Sequence, residues 1–180
     1  MEKLILASSS PRRKTLLRKI TNDFEIKDPL CNEVEDGEPQ FVAETNAALK
    51  GRAVEGDFVL SCDTVVCMDG KIYGKPQDES HAVEMLSALS GRTHEVVSGV
   101  YIRYHGKEIV FSDVTRVTFK KLTEKEIRAY VKEYRPLDKA GSYGIQDGVT
   151  VEKYEGSLDN VIGLPTERLR EVLKDYVDIG

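Results

Sequence analysis

Two adjacent arginines near the start of the chain occupy positions where they could bind an anion. Arg12 and Arg13 follow Ser10-Pro11, and a serine cap with proline at the first helical position is typical of a helix start. Basic residues in a first turn oppose the helix dipole, so they lower helix stability unless an anion binds beside them. An exposed, solvated basic turn would have the same local sequence. The pattern alone leaves both interpretations open.

A carboxylate lies inside a segment that is otherwise rich in apolar β-formers. Asp63 stands between the runs 58–60 and 64–68, both of which have a strand-forming composition. Carboxylates are rarely buried without a partner, so the structural alternative is a lone aspartate at a sheet edge or in a turn. The apolar sequence on both sides favours a functional carboxylate at Asp63.

Further polar groups lie in loops and at a helix end. Residues 139–146 are rich in glycine and polar side chains, a composition typical of loops that approach ligands. The acidic segment 29–39 carries Glu33, although such acids can simply be solvated. Gly74-Lys75-Pro76 is a rigid break in the chain. Lys50 lies near the end of a predicted helix, a position that suits a lysine even without a ligand.

The hydrophobic pattern predicts the elements that must position these residues. Strands are predicted in short apolar or alternating runs, at residues 4–7, 24–27, 58–60, 64–68, 71–73, 95–104, 108–119 and 149–154. Helices are predicted from cap signals at Ser10, Pro39, Asp78 and Thr123, and a last one from the spacing of Leu169, Val172, Leu173 and Tyr176. The two longest strands should pair as an antiparallel hairpin through His105-Gly106. Residues 156–163 are interpreted as a turn region, and Phe41 is placed on the apolar side of the second helix.

The composition is that of an ordinary folded domain and argues against several classes of protein. The chain has 180 residues, 40% of them hydrophobic and 32% charged, so we expect one domain over residues 1–180. The net charge of -5 disfavours broad binding to nucleic acid or to an anionic membrane. No apolar run approaches the roughly 18 residues of a membrane span, so we expect a cytoplasmic protein. The cysteines and histidines lack the spacing of a disulfide framework or a zinc site.

Five segments, in order along nearly the whole chain, resemble the motifs of the Maf family of nucleotide pyrophosphatases. They are residues 6–13 (LASSSPRR), 63–64 (DT), 74–76 (GKP), 139–146 (KAGSYGIQ) and 160–165 (NVIGLP). The resemblance implies an α/β fold with a mixed twisted sheet and flanking helices, whose two lobes enclose a deep cleft as in the enzymes that hydrolyse inosine triphosphate. It also implies a homodimer, which is frequent in the family, and it favours the ligand-binding interpretation of Arg12 and Arg13.

Members of this family cleave nucleoside triphosphates between the α and β phosphates to a monophosphate and pyrophosphate. The resemblance therefore implies a divalent cation as cofactor, magnesium first, with manganese and cobalt as alternatives. Asp63 matches the proton acceptor for the attacking water, Glu33 an acidic residue near the metal, and Lys75 a further catalytic group. Glu33 and Asp63 would suffice as metal ligands if the fold brings them together. The expected phosphate-binding residues are Ser8, Ser10, Arg12, Arg13 and Lys50.

The resemblance also predicts which nucleobase the substrate carries. The subgroup of the family that favours dTTP and UTP resembles this chain at Arg12, Thr64 and Gln146, whereas the subgroup acting on 7-methyl-GTP generally differs there. A glutamine amide can complement both the carbonyl and the adjacent N–H of uracil or thymine. The ranking among dTTP, UTP, CTP and modified nucleotides stays open. Departures from the family pattern occur at Ser61-Cys62, Gly51 and Leu137-Asp138.

Two other classes of protein compete with the enzyme interpretation. A regulator of septum formation could bind a nucleotide without hydrolysing it, but Glu33 and Asp63 would contribute little to such a sensor unless a metal is held there. A nucleic-acid module built on Arg12, Arg13 and Lys14 would lack an aromatic platform and an extended basic stripe. A nucleoside triphosphate is thus the expected partner, with no nucleic acid and no membrane.

Overall fold

The computed structural model describes residues 2–177, in which helices and strands alternate along most of the chain. The strands are β1 (Leu4–Ala7), β2 (Phe24–Lys27), β3 (Phe58–Met68), β4 (Lys71–Tyr73), β5 (Thr93–Tyr104), β6 (Lys107–Phe119) and β7 (Val151–Glu155). The helices are α1 (Pro11–Leu17), α2 (Pro39–Arg52), α3 (Glu79–Leu89), α4 (Glu124–Tyr134), α5 (Leu158–Ile162) and α6 (Thr166–Leu173). Among the described residues, no helix is both long and apolar enough to span a bilayer.

One mixed, seven-stranded sheet organises the fold, in the order β2-β1-β3-β5-β6-β7 with β4 paired to β3. β1 pairs in parallel with β2 and β3, whereas the remaining pairs are antiparallel. The predicted hairpin is confirmed, with His105 and Gly106 at φ values of 47° and 80° in the turn between β5 and β6. The α/β fold class is confirmed.

Three sequence-based expectations need correction. The runs on either side of Asp63 form one continuous strand, β3, because the carboxylate finds partners and does not interrupt the ladder. Residues 156–163, interpreted from the sequence as a turn region, contain α5, and the Ser157 side chain caps this helix. The sequence does not predict it because a helix of five residues is too short to show a periodic pattern. Phe41 is 58% exposed. Ala43 is the residue of α2 that packs against β5 at Gly99, and Phe41 lies about 200° around the helix from it.

Two hydrophobic cores lie at opposite ends of the long strands. The first core receives Phe58 and Leu60 from β3 and packs against α1 and α6. The second receives Val66 and Met68 from the same strand and packs against α3 and α4. Residues 63–64 lie between these two sets, where the strand becomes polar. The fold therefore has two lobes, and the polar segment of β3 lies at their junction.

Helix α2 crosses the sheet at this junction in unusually close contact with β5. A Cβ atom added at Gly99 would lie 2.4 Å from the carbonyl carbon and oxygen of Ala43, so only glycine allows this approach. The close packing places the following turns of α2, with Asn46 and Lys50, beside Asp63 in the neighbouring strand.

Candidate active site

A polar cleft of about 810 Å³ opens between the lobes at the polar segment of β3. This volume lies within the range of sites that enclose a small molecule, about 300–1,000 Å³. The structure brings every predicted site residue to its lining, namely Ser8, Ser10, Arg12, Arg13, Glu33, Lys50, Asp63, Thr64, Lys75 and Gln146. Segments far apart in sequence therefore meet in one cavity.

A lysine lies between two carboxylates in the cleft. Lys50 Nζ lies 3.0 Å from Asp63 Oδ1 and 3.0 Å from Glu33 Oε1. Asp63 is only 8% exposed, whereas the Glu33 side chain is 46% exposed. The two carboxylates therefore converge on one cationic position, one from the floor of the cleft and one from a loop at its rim.

Asn46 holds this arrangement together and was missed in the sequence analysis. Its amide nitrogen donates to Asp63 Oδ2 at 3.3 Å and to the Val34 carbonyl at 2.8 Å. Its amide oxygen accepts from the Val34 N–H at 2.7 Å, which fastens the loop that carries Glu33 to α2. The sequence signal was available, because Asn46 precedes Lys50 by four residues and must share its helix face.

The first turn of α1 forms the opposite wall. Ser10 caps the helix by accepting from the Arg13 N–H at 3.4 Å, and Ser8 Oγ accepts from the Ser10 N–H at 3.1 Å. Arg12 reaches across the cleft to Asp138 at 3.2 Å. Burial acts to raise the pKa of Asp138, but hydrogen bonds from Lys139 and Arg12 outweigh it and hold that pKa below its usual value.

Arg13 is partly engaged by the protein itself. Its Nε donates to the Gly163 carbonyl at 2.7 Å, and one terminal nitrogen donates to Thr64 Oγ1 at 3.0 Å. Thr64 Oγ1 is in turn 2.8 Å from Ser98 Oγ. These bonds fix the guanidinium beside β3, and the remaining N–H groups of its fork are the ones that could face a ligand.

The glycine-rich loop closes the cleft from the second lobe. Gly141 has a φ of 70°, a left-handed conformation that suits glycine. Tyr143 is buried, and its hydroxyl lies 2.7 Å from His94 Nε2. Gln146 and Lys75 are both exposed in the cleft, and within residues 2–177 neither side chain has a hydrogen-bonding or ion-pair partner. Both polar ends are therefore free to meet a ligand.

The donor set of the cleft suits a polyphosphate and a hard divalent cation. Cationic side chains and the positive end of the α1 dipole favour phosphate oxygens. Two carboxylate oxygens that already surround one ammonium, at 3.0 Å each, are the ligand type that magnesium prefers. Glu33 and Asp63 are thus the pair that could hold a metal here.

Fold and site together define a two-lobed α/β protein whose cleft brings cationic side chains and two carboxylates together. The chain belongs to the Maf family, since the family model for Maf-like proteins matches residues 3–176.

Curated relatives cover nearly the same length. A dTTP/UTP pyrophosphatase of Thermosipho africanus is 43% identical over 177 residues, covering 96% of this chain and 93% of that protein. A dTTP/UTP pyrophosphatase of Thermococcus gammatolerans is 44% identical over 177 residues, covering 94% and 96%. One of Bacillus thuringiensis subsp. konkukian is 45% identical over 187 residues, covering 98% and 96%.

A solved structure supports the fold alone. A HAM1 protein from Coxiella burnetii aligns with a TM-score of 0.55 at 17% identity, covering 97% of this chain and all of that one. At this identity the likeness concerns the arrangement of helices and strands, and it carries no argument about substrate.

Proposed function

We propose that this protein is a nucleoside triphosphate pyrophosphatase that hydrolyses dTTP, UTP and related or modified pyrimidine nucleotides to the monophosphate and pyrophosphate. One observation carries the proposal: the buried carboxylate of Asp63 lies in the same cleft as the cationic turn at Arg12 and the free amide of Gln146. The names of the relatives, each a dTTP/UTP pyrophosphatase at 43–45% identity, support it.

The triphosphate binds along the wall formed by α1. A helix N-terminus presents unpaired N–H groups and a partial positive charge, and Arg12 and Arg13 add forked donors for phosphate oxygens. Ser8 and Ser10 supply hydroxyls at the same end of the helix. Lys50 and Lys75 add point charges from other elements, so that about four negative charges on the substrate meet cations on several sides.

A divalent cation is part of the proposal, with magnesium, manganese and cobalt as candidates. The convergence of two carboxylates on one cationic position fits such an ion, and Glu33 and Asp63 would hold it. When bound, the ion neutralises charge that develops on the reacting phosphate. Because the Lys50 ammonium lies between these carboxylates, an ion held by both of them would replace it there, and Lys50 would then be available for phosphate.

Asp63 is the proposed general base. It takes a proton from water as the new O–P bond forms, while the bond between the α and β phosphates breaks and pyrophosphate leaves. Its low exposure and its hydrogen bond from Asn46 hold the carboxylate in one orientation. Lys75 is assigned to charge that develops on the leaving pyrophosphate, because its ammonium lies in the cleft and has no partner among residues 2–177.

In this proposal Gln146, together with Thr64 and Arg12, recognises the nucleobase of the substrate. The Gln146 amide offers one donor and one acceptor, which matches the adjacent carbonyl and N–H of uracil or thymine. Thr64 and Arg12 act on the same substrate from β3 and from α1. We further propose one domain over residues 1–180, a homodimer, a cytoplasmic location, and no binding of nucleic acid or membrane.

The direct test is a substrate panel. Purified protein is given UTP, dTTP, CTP, ATP, GTP and 7-methyl-GTP with magnesium, and the products are separated by ion-exchange chromatography. We expect UMP from UTP and dTMP from dTTP, each formed together with one equivalent of pyrophosphate. Turnover should be lost when EDTA removes the metal. Binding of UTP without turnover of any nucleotide would contradict the enzyme and favour a regulator that binds nucleotide without hydrolysis.

A further inference from the structure

A buried tyrosine hydroxyl lies beneath the short turn that carries Gln146. We propose that Tyr130 is a positioning residue for base recognition, which acts by fixing residues 144–147 so that the Gln146 amide faces the base. This inference rests on the proposed function, because it assigns to Gln146 the reading of a pyrimidine.

One hydroxyl group engages both sides of Gln146. The Gly144 N–H donates to Tyr130 Oη at 3.0 Å, and Tyr130 Oη donates to Asp147 Oδ2 at 2.6 Å. The two bonds attach the backbone before Gln146 and the side chain after it to the same point on α4. Tyr130 is 2% exposed, and its neighbours Ile127 and Val131 are also buried in the second core. The anchor is therefore rigid.

The turn needs such an anchor because of its own composition. Gly144 and Gly148 bracket it, and Gly148 adopts a left-handed φ of 69°. Two backbone bonds, from the Asp147 N–H to the Gly144 carbonyl and from the Gly148 N–H to the Ile145 carbonyl, fix the turn locally. Glycines lose more conformational freedom than other residues when they are ordered, so holding this turn in one place on the fold has an entropic cost that the bonds to Tyr130 offset. Gln146 itself is exposed, and within the described part of the chain its side chain has no partner that could orient it.

The hydroxyl is suited to its double role. Burial, followed by the hydrogen bond to Asp147, raises the pKa of Tyr130 above its usual value, so the proton needed for donation is retained at neutral pH. Removal of the oxygen would leave the buried Gly144 N–H and the partly exposed Asp147 carboxylate without this partner, and a buried N–H left unpaired favours rearrangement. The first part of the site to move would be the residue between them, Gln146.

The proposed phosphate-binding residues lie on a different element from Tyr130. A role of Tyr130 in positioning Gln146 can therefore be distinguished from a general structural defect of the variant. Arg12 and Ser10 belong to α1 and its cap, whereas Tyr130 belongs to α4. A positioning role predicts weaker recognition of the base with phosphate binding preserved. Competitive inhibition by pyrophosphate, which carries no base, reports the phosphate site alone.

The experiment uses Tyr130→Phe, which keeps the ring and removes the hydroxyl. Tyr134→Phe is the matched control, because Tyr134 lies on the same helix, stacks on Tyr130 with centroids 5.0 Å apart and is 38% exposed. We expect the KM for UTP to rise about tenfold in Tyr130→Phe, with kcat within about threefold and the pyrophosphate inhibition constant within about twofold of wild type. Tyr134→Phe should match wild type in all three.

A double-mutant cycle tests whether Tyr130 acts through Gln146. In a Gln146→Ala background, Tyr130→Phe should cause no further rise in KM, since the group it positions is gone. A full additional rise, an unchanged KM in the single variant, or an equal change in pyrophosphate inhibition would overturn the inference. If wild-type protein does not hydrolyse UTP, the proposed function fails separately, and the same cycle measured on UTP dissociation constants decides the role of Tyr130.

Discussion

The ammonium of Lys50 lies 3.0 Å from the carboxylate of Asp63, at the point where β3 passes from one core to the other. Both side chains are largely withdrawn from solvent, with 12% of each exposed. Glu33 completes the group from the acidic loop. A lysine thus occupies the position between the two carboxylates that we propose as metal ligands.

Replacement of Lys50 should show whether its ammonium and a divalent metal ion compete for the same position between the carboxylates. In Lys50→Met, we expect the affinity for Mn²⁺, measured by electron paramagnetic resonance without nucleotide, to increase about tenfold, because a charge that repels the ion is lost. The KM for UTP should rise, since a phosphate contact is lost as well. Lys71→Met is the control, because Lys71 lines the same cleft and packs on Tyr73. Unchanged or weaker Mn²⁺ binding in Lys50→Met would show that the lysine and the metal use different positions.

Replacement of the Gln146 amide should lower activity toward pyrimidine nucleoside triphosphates. In Gln146→Glu, the donor that faces a uracil carbonyl is replaced by a carboxylate oxygen, so kcat/KM for UTP and dTTP should fall about 10- to 100-fold. Gln77→Glu introduces the same charge in the same cleft, from an exposed position before α3, and should have a much smaller effect. Equal losses in the two variants would mean that charge, and not base recognition, accounts for the change.

The buried histidine behind the glycine-rich loop should make stability depend on pH. Burial lowers the pKa of His94 from 6.5 to about 4, so the folded protein favours the neutral ring. Its contribution to stability is complete above pH 6.5 and is lost as the pH falls toward 4, because the unfolded chain then binds a proton that the folded chain does not. Between pH 7.5 and 5, this group should lower the free energy of unfolding by about 2 kcal/mol.

Urea unfolding at the two pH values measures this effect. The loss between pH 7.5 and 5 should shrink in His94→Gln, whose amide can still bond to the Tyr143 hydroxyl but does not titrate. His81→Gln, in the first turn of α3, where the ring is partly exposed at the cleft and accepts the Gln77 N–H at 3.1 Å, should retain the full wild-type loss. The same pH dependence in His94→Gln and wild type would assign it to other groups.

Local signals in the sequence predicted much of the fold. The Ser10-Pro11 start of α1, the His105-Gly106 turn between β5 and β6 and the Thr123 cap of α4 are each formed by residues a few positions apart. Such signals are complete within one segment, so they need no knowledge of the tertiary structure. The five-residue α5 gives too short a pattern and was missed.

Contacts between distant segments could not be predicted in this way. Arg13 donates to a carbonyl 150 residues away at Gly163, and that partner is set by how α1 packs on α5. Asn46 unites α2, the acidic loop and β3, but in sequence it is one polar residue within a helix. The family resemblance supplied the site residues, whereas the structure supplied the side chains that hold them.

The proposed hydrolysis of pyrimidine nucleoside triphosphates depends on Asp63 as the general base, and a comparison of three proteins measures that dependence. Turnover and nucleotide affinity are measured for wild type, for Asp63→Asn, and for Glu35→Gln, which removes another carboxylate from the lining of the same cleft. We predict that Asp63→Asn loses about 100- to 10,000-fold in kcat for UTP, with its dissociation constant within about threefold of wild type, while Glu35→Gln stays active. An Asp63→Asn enzyme with kcat within about tenfold of wild type would contradict this account.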